Sequence, residues 1–270
     1  MSDVTGRTGS GRLSTPRAPS YEVSGGEERS EAMRETNLDN GVLILSEKIP
    51  GVRSAAIGIW IRQGAAHETN TDTGASHLLE HMVFKGTRTR SALEIADSLE
   101  TLGGSLDAYT SREHTSYQAR VLDEHIPVAL DVLSDLVLSP TLRDSDLSLE
   151  REVVLEEIAQ VEDTPDDLVF EIHSERLWNG HPYGRSILGT KLSVEGMKGE
   201  RLRELHSERY VGENLVIAAA GNVEHEEFVD RVASHVDTVV PGVRSEQVKG
   251  PLNAVAGLEL VDRETAQTHI

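Results

Sequence analysis

The stretch that decides how this chain is read is Gly74-Ala75-Ser76-His77-Leu78-Leu79-Glu80-His81-Met82-Val83-Phe84-Lys85-Gly86-Thr87. Leu78, Leu79, Met82 and Val83 recur at helical spacing, which predicts a helix from Gly74 to Phe84. On such a helix His77 and His81 stand at i and i+4, one above the other on a single face, so both imidazoles can reach one ion. Glu80 lies close enough to share a water with that ion without entering its coordination shell. A catalytic zinc takes three protein ligands and keeps the fourth position for water. The chain has no cysteine, so the third ligand is an Asp, a Glu or another His. The competing reading is a pair of surface histidines on an amphipathic helix. Against it, the four large apolar residues make this a buried helix, where unpaired imidazoles are costly.

Working outward, Leu38-Asp39-Asn40-Gly41-Val42 places a turn between two strand-like runs, so order is expected to begin near Met33 with a hairpin. Ala55 to Ile61 reads as a buried strand. A second helix runs from a Ser91 cap to Leu102 and ends at Gly103-Gly104. Strand-like stretches follow at Leu106 to Thr110 and Ser116 to Leu122. Helical periods occupy Ile126 to Leu138, Asp144 to Val161, and the segment from Thr164-Pro165 to Trp178, and the last two helices are expected to pack on a common sheet. Val194 to Tyr210 predicts a single helix, Asn214 to Ala220 a strand, and His225 to Val236 a helix. Strands and helices mix without strict βαβ alternation. The expected fold class is therefore α+β, a two-layer arrangement of helices covering a largely antiparallel sheet.

At 270 residues the chain is long enough for one large or two modest domains. Forty-six acidic against twenty-six basic residues give a net charge of −20, the wrong sign for phosphate neutralisation, so nucleic acid is excluded as a partner class. No apolar stretch is long enough to span a bilayer, and the first residues lack the apolar core of a secretory signal, so no membrane partner is expected. Residues 1–30 read as a disordered leader. Arg7, Arg12 and Arg17 give it a faint transit-peptide character, but its glycines and prolines break the helix such a peptide needs. The expected location is cytoplasmic, with an organellar matrix as the second reading. Residues 31–236 form the ordered domain, 237–262 a linker, and 263–270 the start of a second domain.

His77 to His81 followed by Met82 to Thr87 closely resembles the zinc-site helix of the pitrilysin and mitochondrial processing peptidase family, the inverzincins with H-x-x-E-H. The resemblance extends through Leu102 to Tyr117, Glu150 to Ile158, His181-Pro182-Tyr183-Gly184 and Tyr210 to Gly221, spanning roughly residues 31 to 236. It implies a zinc-dependent metalloendopeptidase fold half. In that family the third zinc ligand is a glutamate about 76 residues beyond the second histidine, which corresponds to Glu157. Neighbouring Glu156, rotated by about 100° around the helix, is left as a solvated neighbour. Glu150, two turns before Glu157, matches a glutamate that supports the site from outside the coordination shell. Glu80 is then the residue that takes a proton from the attacking water.

The family binds extended peptides against an edge strand. The matching stretch is Ser105 to Thr110, with Asp107, Ala108 and Tyr109 as the expected substrate-contacting residues. Usual members carry Asn where this chain has Asp107, which replaces a donor and acceptor with an acceptor alone. The resemblance also implies Zn2+ as cofactor, a peptide as substrate, and a second homologous half, in the same longer chain or a separate subunit. The alternative is a noncatalytic zinc- or peptide-binding half that needs its counterpart for activity. His67, His114, His173, His181 and His225 have no comparable spacing partner and receive no role.

Overall fold

The structure is a computed structural model and describes residues 33–250 together with 257, 258, 260 and 261. The expected leader at 1–30, part of the linker, and the run at 263–270 lie outside the described residues. In chain order the elements are β1 (Met33–Asn37), β2 (Leu43–Lys48), β3 (Ser54–Ile61), α1 (Ala75–Val83), α2 (Ala92–Glu100), β4 (Ser105–Thr110) and β5 (Thr115–Leu122). They continue with α3 (Ile126–Leu138), α4 (Asp144–Asp163), α5 (Pro165–Leu177), α6 (Lys191–Gly196), α7 (Gly199–Arg209), β6 (Leu215–Gly221) and α8 (His225–His235).

The six strands form one sheet in the order β1-β2-β6-β3-β5-β4. All neighbouring pairs are antiparallel except β2 and β6, which run parallel in a register that sets Leu43 beside Val216. The period-2 alternation is clearest in β6, where Leu215, Ile217, Ala219 and Gly221 are buried while Val216, Ala218 and Ala220 are half-buried. Ala55, Ile57, Ile59 and Ile61 of β3 and Tyr117, Ala119 and Val121 of β5 continue the same buried face. Helix α3 packs across β3 and β5, α8 on β2, and α1 and α2 on β4. This is the two-layer α+β architecture with a largely antiparallel sheet. No helix among the described residues is long and apolar enough to cross a membrane.

Two expectations about the helices need correction. Helices α4 and α5 do not lie on the sheet. Helix α4 packs on α1, α5 and α6, and α5 packs on α4 and the turn at Pro182–Gly184, with none of its own residues buried. Helix α1 fills the space between α4 and the sheet, so α4 is a second shelf above it. The single helix expected from Val194 to Tyr210 is two helices. Met197 turns extended at ψ 131° after Gly196, and α7 restarts at Gly199, where a Cβ would fall 1.9 Å from Asp144 Oδ1. The described residues from 237 to 250 contain no helix or strand, yet the early part of the segment is tied down. The backbone N–H groups of Gly212 and Glu213 donate to Val240 O and Pro241 O, and Ser245 N donates to Asn214 Oδ1.

The start of α1 is held from two sides. Gly74 precedes it at φ +87°, and a Cβ there would approach Leu188 O to 2.6 Å, so the position favours glycine twice over. Gly74 offers no side chain to cap the helix. Glu68 supplies the cap instead: its Oε2 accepts from Gly74 N at 2.8 Å and its Oε1 from Ser76 N at 2.7 Å. Burial pushes the Glu68 carboxyl up from its ordinary value of 4.5 to about 7, against the pull of those two backbone hydrogen bonds. Between these two values the folded chain holds a proton that the unfolded chain has released. The stability this group contributes is therefore present below about pH 4.5 and is lost as pH rises through about 7. Urea denaturation at a series of pH values should show the wild type losing stability relative to Glu68→Gln across that window. A difference that stays flat with pH would mean that Glu68 titrates as an ordinary carboxylate.

Candidate metal centre

Six of the nine residues of α1 are buried, namely Ala75, Ser76, Leu78, Leu79, Met82 and Val83. The three that are not are His77, Glu80 and His81. They form a single strip at i, i+3 and i+4, the one face of the helix left open once the sheet and its neighbours have covered the rest. Helix α4 crosses this strip. Its own buried residues Leu147, Glu150, Val154 and Ile158 line up along the helix, and Glu157 stands beside Ile158 at the edge of that line.

Glu157 reaches both imidazoles. Its Oε2 lies 3.7 Å from His77 Nε2 and its Oε1 lies 3.7 Å from His81 Nε2. One ligand atom from each of the three residues falls within 4.8 Å of the others. Glu156, the neighbour weighed against it, is exposed. These separations are too long for hydrogen bonds between the groups. Three ligand atoms at about 2.1 Å from one ion in tetrahedral directions stand about 3.4 Å apart, so the spacing fits a small divalent cation. The other ring nitrogen of His77, Nδ1, is buried and has no hydrogen-bond partner among the described residues, so unlike His81 this ring is not braced from behind. Burial, helped by neighbouring His81, lowers the His77 pKa to about 4, which keeps the ring neutral as a ligand requires.

His81 is held in place from behind. Its Nδ1 donates to Glu150 Oε2 at 3.3 Å, which leaves Nε2 with its lone pair toward Glu157. The other Glu150 oxygen, Oε1, lies 2.8 Å from Lys85 Nζ. Glu150 is 7% exposed, so its charge is buried but paired on both oxygens. Glu80 faces the end of β4, where Thr110 Oγ1 donates to its Oε2 at 2.5 Å. Burial raises the Glu80 pKa, while the Thr110 hydrogen bond and His81 lower it and the Glu157 charge adds to the rise.

The residues expected to touch substrate, Asp107, Ala108 and Tyr109, lie in β4 at the outer edge of the sheet. Alternation along the strand sets Leu106, Ala108 and Thr110 on the face toward α1, with Asp107 and Tyr109 on the other, where both are exposed. The Tyr109 hydroxyl meets His114 Nε2 at 3.2 Å. Neither Lys85 nor Thr110 was singled out from sequence. A signal existed for each: Thr110 is the polar end of an otherwise apolar stripe on β4, and Lys85 follows His81 by four residues.

Residues 43–191 match the family described as insulinase (peptidase family M16), and residues 197–270 match the peptidase M16 inactive domain. An uncharacterized zinc protease of Mycobacterium leprae is 40% identical over 246 residues, covering 90% of this chain and 55% of that protein. The mitochondrial-processing peptidase subunit beta of Dictyostelium discoideum is 36% identical over 235 residues, covering 86% of this chain and 50% of that protein. The chain thus spans about half the length of the curated relatives it matches. The crystal structure of pitrilysin has the same fold at a TM-score of 0.72 and 20% identity, over 84% of this chain and 25% of that one. The chain belongs to the insulinase-type peptidase family M16.

Proposed function

We propose that this chain is the metal-bearing half of a zinc-dependent metalloendopeptidase, with His77, His81 and Glu157 as ligands and Glu80 as the proton acceptor. The observation that carries this reading is the convergence of two imidazoles from α1 and one carboxylate from α4 at 3.7 Å separations, beside a carboxylate that coordinates nothing itself. A bound zinc would polarise the substrate carbonyl and make a water acidic enough to attack near neutral pH. Glu80 takes the proton of that water as its oxygen adds to the carbonyl carbon, then gives the proton to the amine nitrogen as the C–N bond breaks. Its Oε2 accepts from Thr110, which leaves the carboxylate further lone pairs for this transfer. An extended peptide adds to the outer edge of β4 through backbone hydrogen bonds, which gives affinity with little dependence on side chains.

A second reading keeps the same site but assigns turnover to a larger assembly. It is favoured by the chain's span of half its relatives and by Leu149 and Val153 of α4 and Phe170 of α5, which are 67%, 44% and 70% exposed. A homologous second half covering these residues would complete the enclosure around the peptide. Cleavage of a quenched fluorescent peptide, with and without chelator, by this chain and by a version extended past Ile270, separates the two readings.

In whichever form cleaves, chelator should abolish the activity and added zinc restore it. Glu80→Gln should bind zinc normally and lose 10²- to 10⁴-fold in turnover, the usual contribution of a general base. His77→Ala and His81→Ala should lose both metal and turnover. Undiminished cleavage by Glu80→Gln would refute the assignment. A second outcome concerns the support behind His81. Glu150→Gln and Lys85→Met should each weaken zinc by roughly 10- to 100-fold, read by competition with a chromophoric chelator. Unchanged zinc affinity in both variants would show that the Lys85–Glu150–His81 chain does not tune the ligand.

A further inference from the structure

We propose that Thr110 is a positioning residue for Glu80, so that the strand offering its edge to peptide also aims the proton acceptor. The inference rests on the metallopeptidase reading and adds to it a residue outside the metal ligands and the acceptor. Glu80 is fixed at its backbone by a buried helix, but three side-chain torsions separate that backbone from the carboxylate. A second point of attachment is needed to hold the carboxylate at one angle. Thr110 Oγ1, donating to Oε2 at 2.5 Å, provides a side-chain attachment of this kind, beside the Thr110 backbone that also acts on the carboxylate.

The attachment is stiff for reasons of residue type and place. A β-branched side chain has restricted χ1, so the direction of the Thr110 hydroxyl follows its backbone. That backbone closes the β4–β5 ladder opposite Thr115. Thr115 is itself 1% exposed, and its Oγ1 donates to Gln63 O at 3.0 Å. The hydroxyl is therefore anchored through two strands to the loop that leads into α1. Asp107, Ala108 and Tyr109, the edge residues, immediately precede it on the same strand. A peptide that adds to this edge orders the strand whose last residue holds Glu80, so binding and alignment share one element.

The test uses the zinc-loaded protein in whichever form, as given or extended past Ile270, cleaves the fluorescent peptide. Thr110→Val removes the hydroxyl at nearly constant shape, and Thr110→Ala replaces it should valine fail to fold. We expect kcat to fall about 10- to 100-fold, with KM and zinc affinity within about twofold of wild type. Thr110→Ser, which keeps the hydroxyl, should recover kcat to within about threefold. Loss of general stability would not produce this split between kcat and KM, nor rescue by serine. Retention of kcat in Thr110→Val, or serine no better than valine, would overturn the proposal while leaving the peptidase reading intact. A wild type with no chelator-sensitive cleavage would instead sink the peptidase reading. Crystal structures of the zinc-loaded wild type and Thr110→Val decide the positioning role in that case: a turned Glu80 carboxylate supports it and an unmoved one rejects it.

Discussion

Everything at this site depends on how completely α1 is covered. A helix buried on one stripe offers most of its surface to solvent, and its polar residues can adopt many arrangements. Helix α1 is different: burial leaves open only His77, Glu80 and His81. Leu78, Leu79, Met82 and Val83, each at most 1% exposed, fix the rotation of the helix about its axis, because a turn of even one residue would expose some of them and bury the imidazoles. The hydrophobic effect is non-directional, yet here it sets a direction for three polar side chains. The cap from Glu68 and the tight passage at Gly74 fix the position of the helix along its axis as well.

Helix α4 repeats this logic with a complication. Its buried line of Leu147, Glu150, Val154 and Ile158 is apolar except for one carboxylate. A lone buried charge at that position would be strongly destabilising. The pairing of Glu150 with Lys85 and His81 offsets the cost, and also ties the end of α1 to the middle of α4. Glu157, two turns further on, sits at the margin of the same line and is 37% exposed at its side chain. The two acids therefore differ in what they can do. One is enclosed and braces a ring nitrogen, while the other has enough freedom to approach two imidazoles at once.

The parts of this arrangement were unequally legible in the sequence. The open strip of α1 was readable because it lies within five residues, where helical periodicity converts spacing directly into geometry. The strands were readable from alternation, and their mixture with helices pointed to the layered α+β class. What lay beyond local pattern was the stacking order of the helices. No periodicity in α4 or α5 says that α1 stands between α4 and the sheet, which is why both were expected on the sheet itself. The break near Met197 was hidden for a related reason, since a helical run gives no sign that Gly199 is wedged against Asp144 from a distant segment. Glu157 entered through resemblance alone, because its distance from His81 along the chain carries no geometric information. Thr110 and Lys85 act on single side chains across element boundaries, and only a packed structure brings such pairs into view.

The charge balance around the site supplies the last step. Glu80, Glu150 and Glu157 converge on two imidazoles, of which His77 is held neutral by burial, and Lys85 pairs with one of the three acids. Burial is the main cause that raises the pKa of Glu80, and the like charge of Glu157 adds to it. Apolar packing of α1 and the pairing of Glu150 with Lys85 and His81 hold these groups together against that like-charge repulsion. A site assembled in this way carries unrelieved electrostatic strain that a cation would remove, and the relief would appear as added stability of the folded state. A carboxylate crowded by a like charge is held more firmly when a hydrogen bond from another element fixes it. Thr110 supplies such a hydrogen bond to Glu80 from a strand whose own position is set by the sheet.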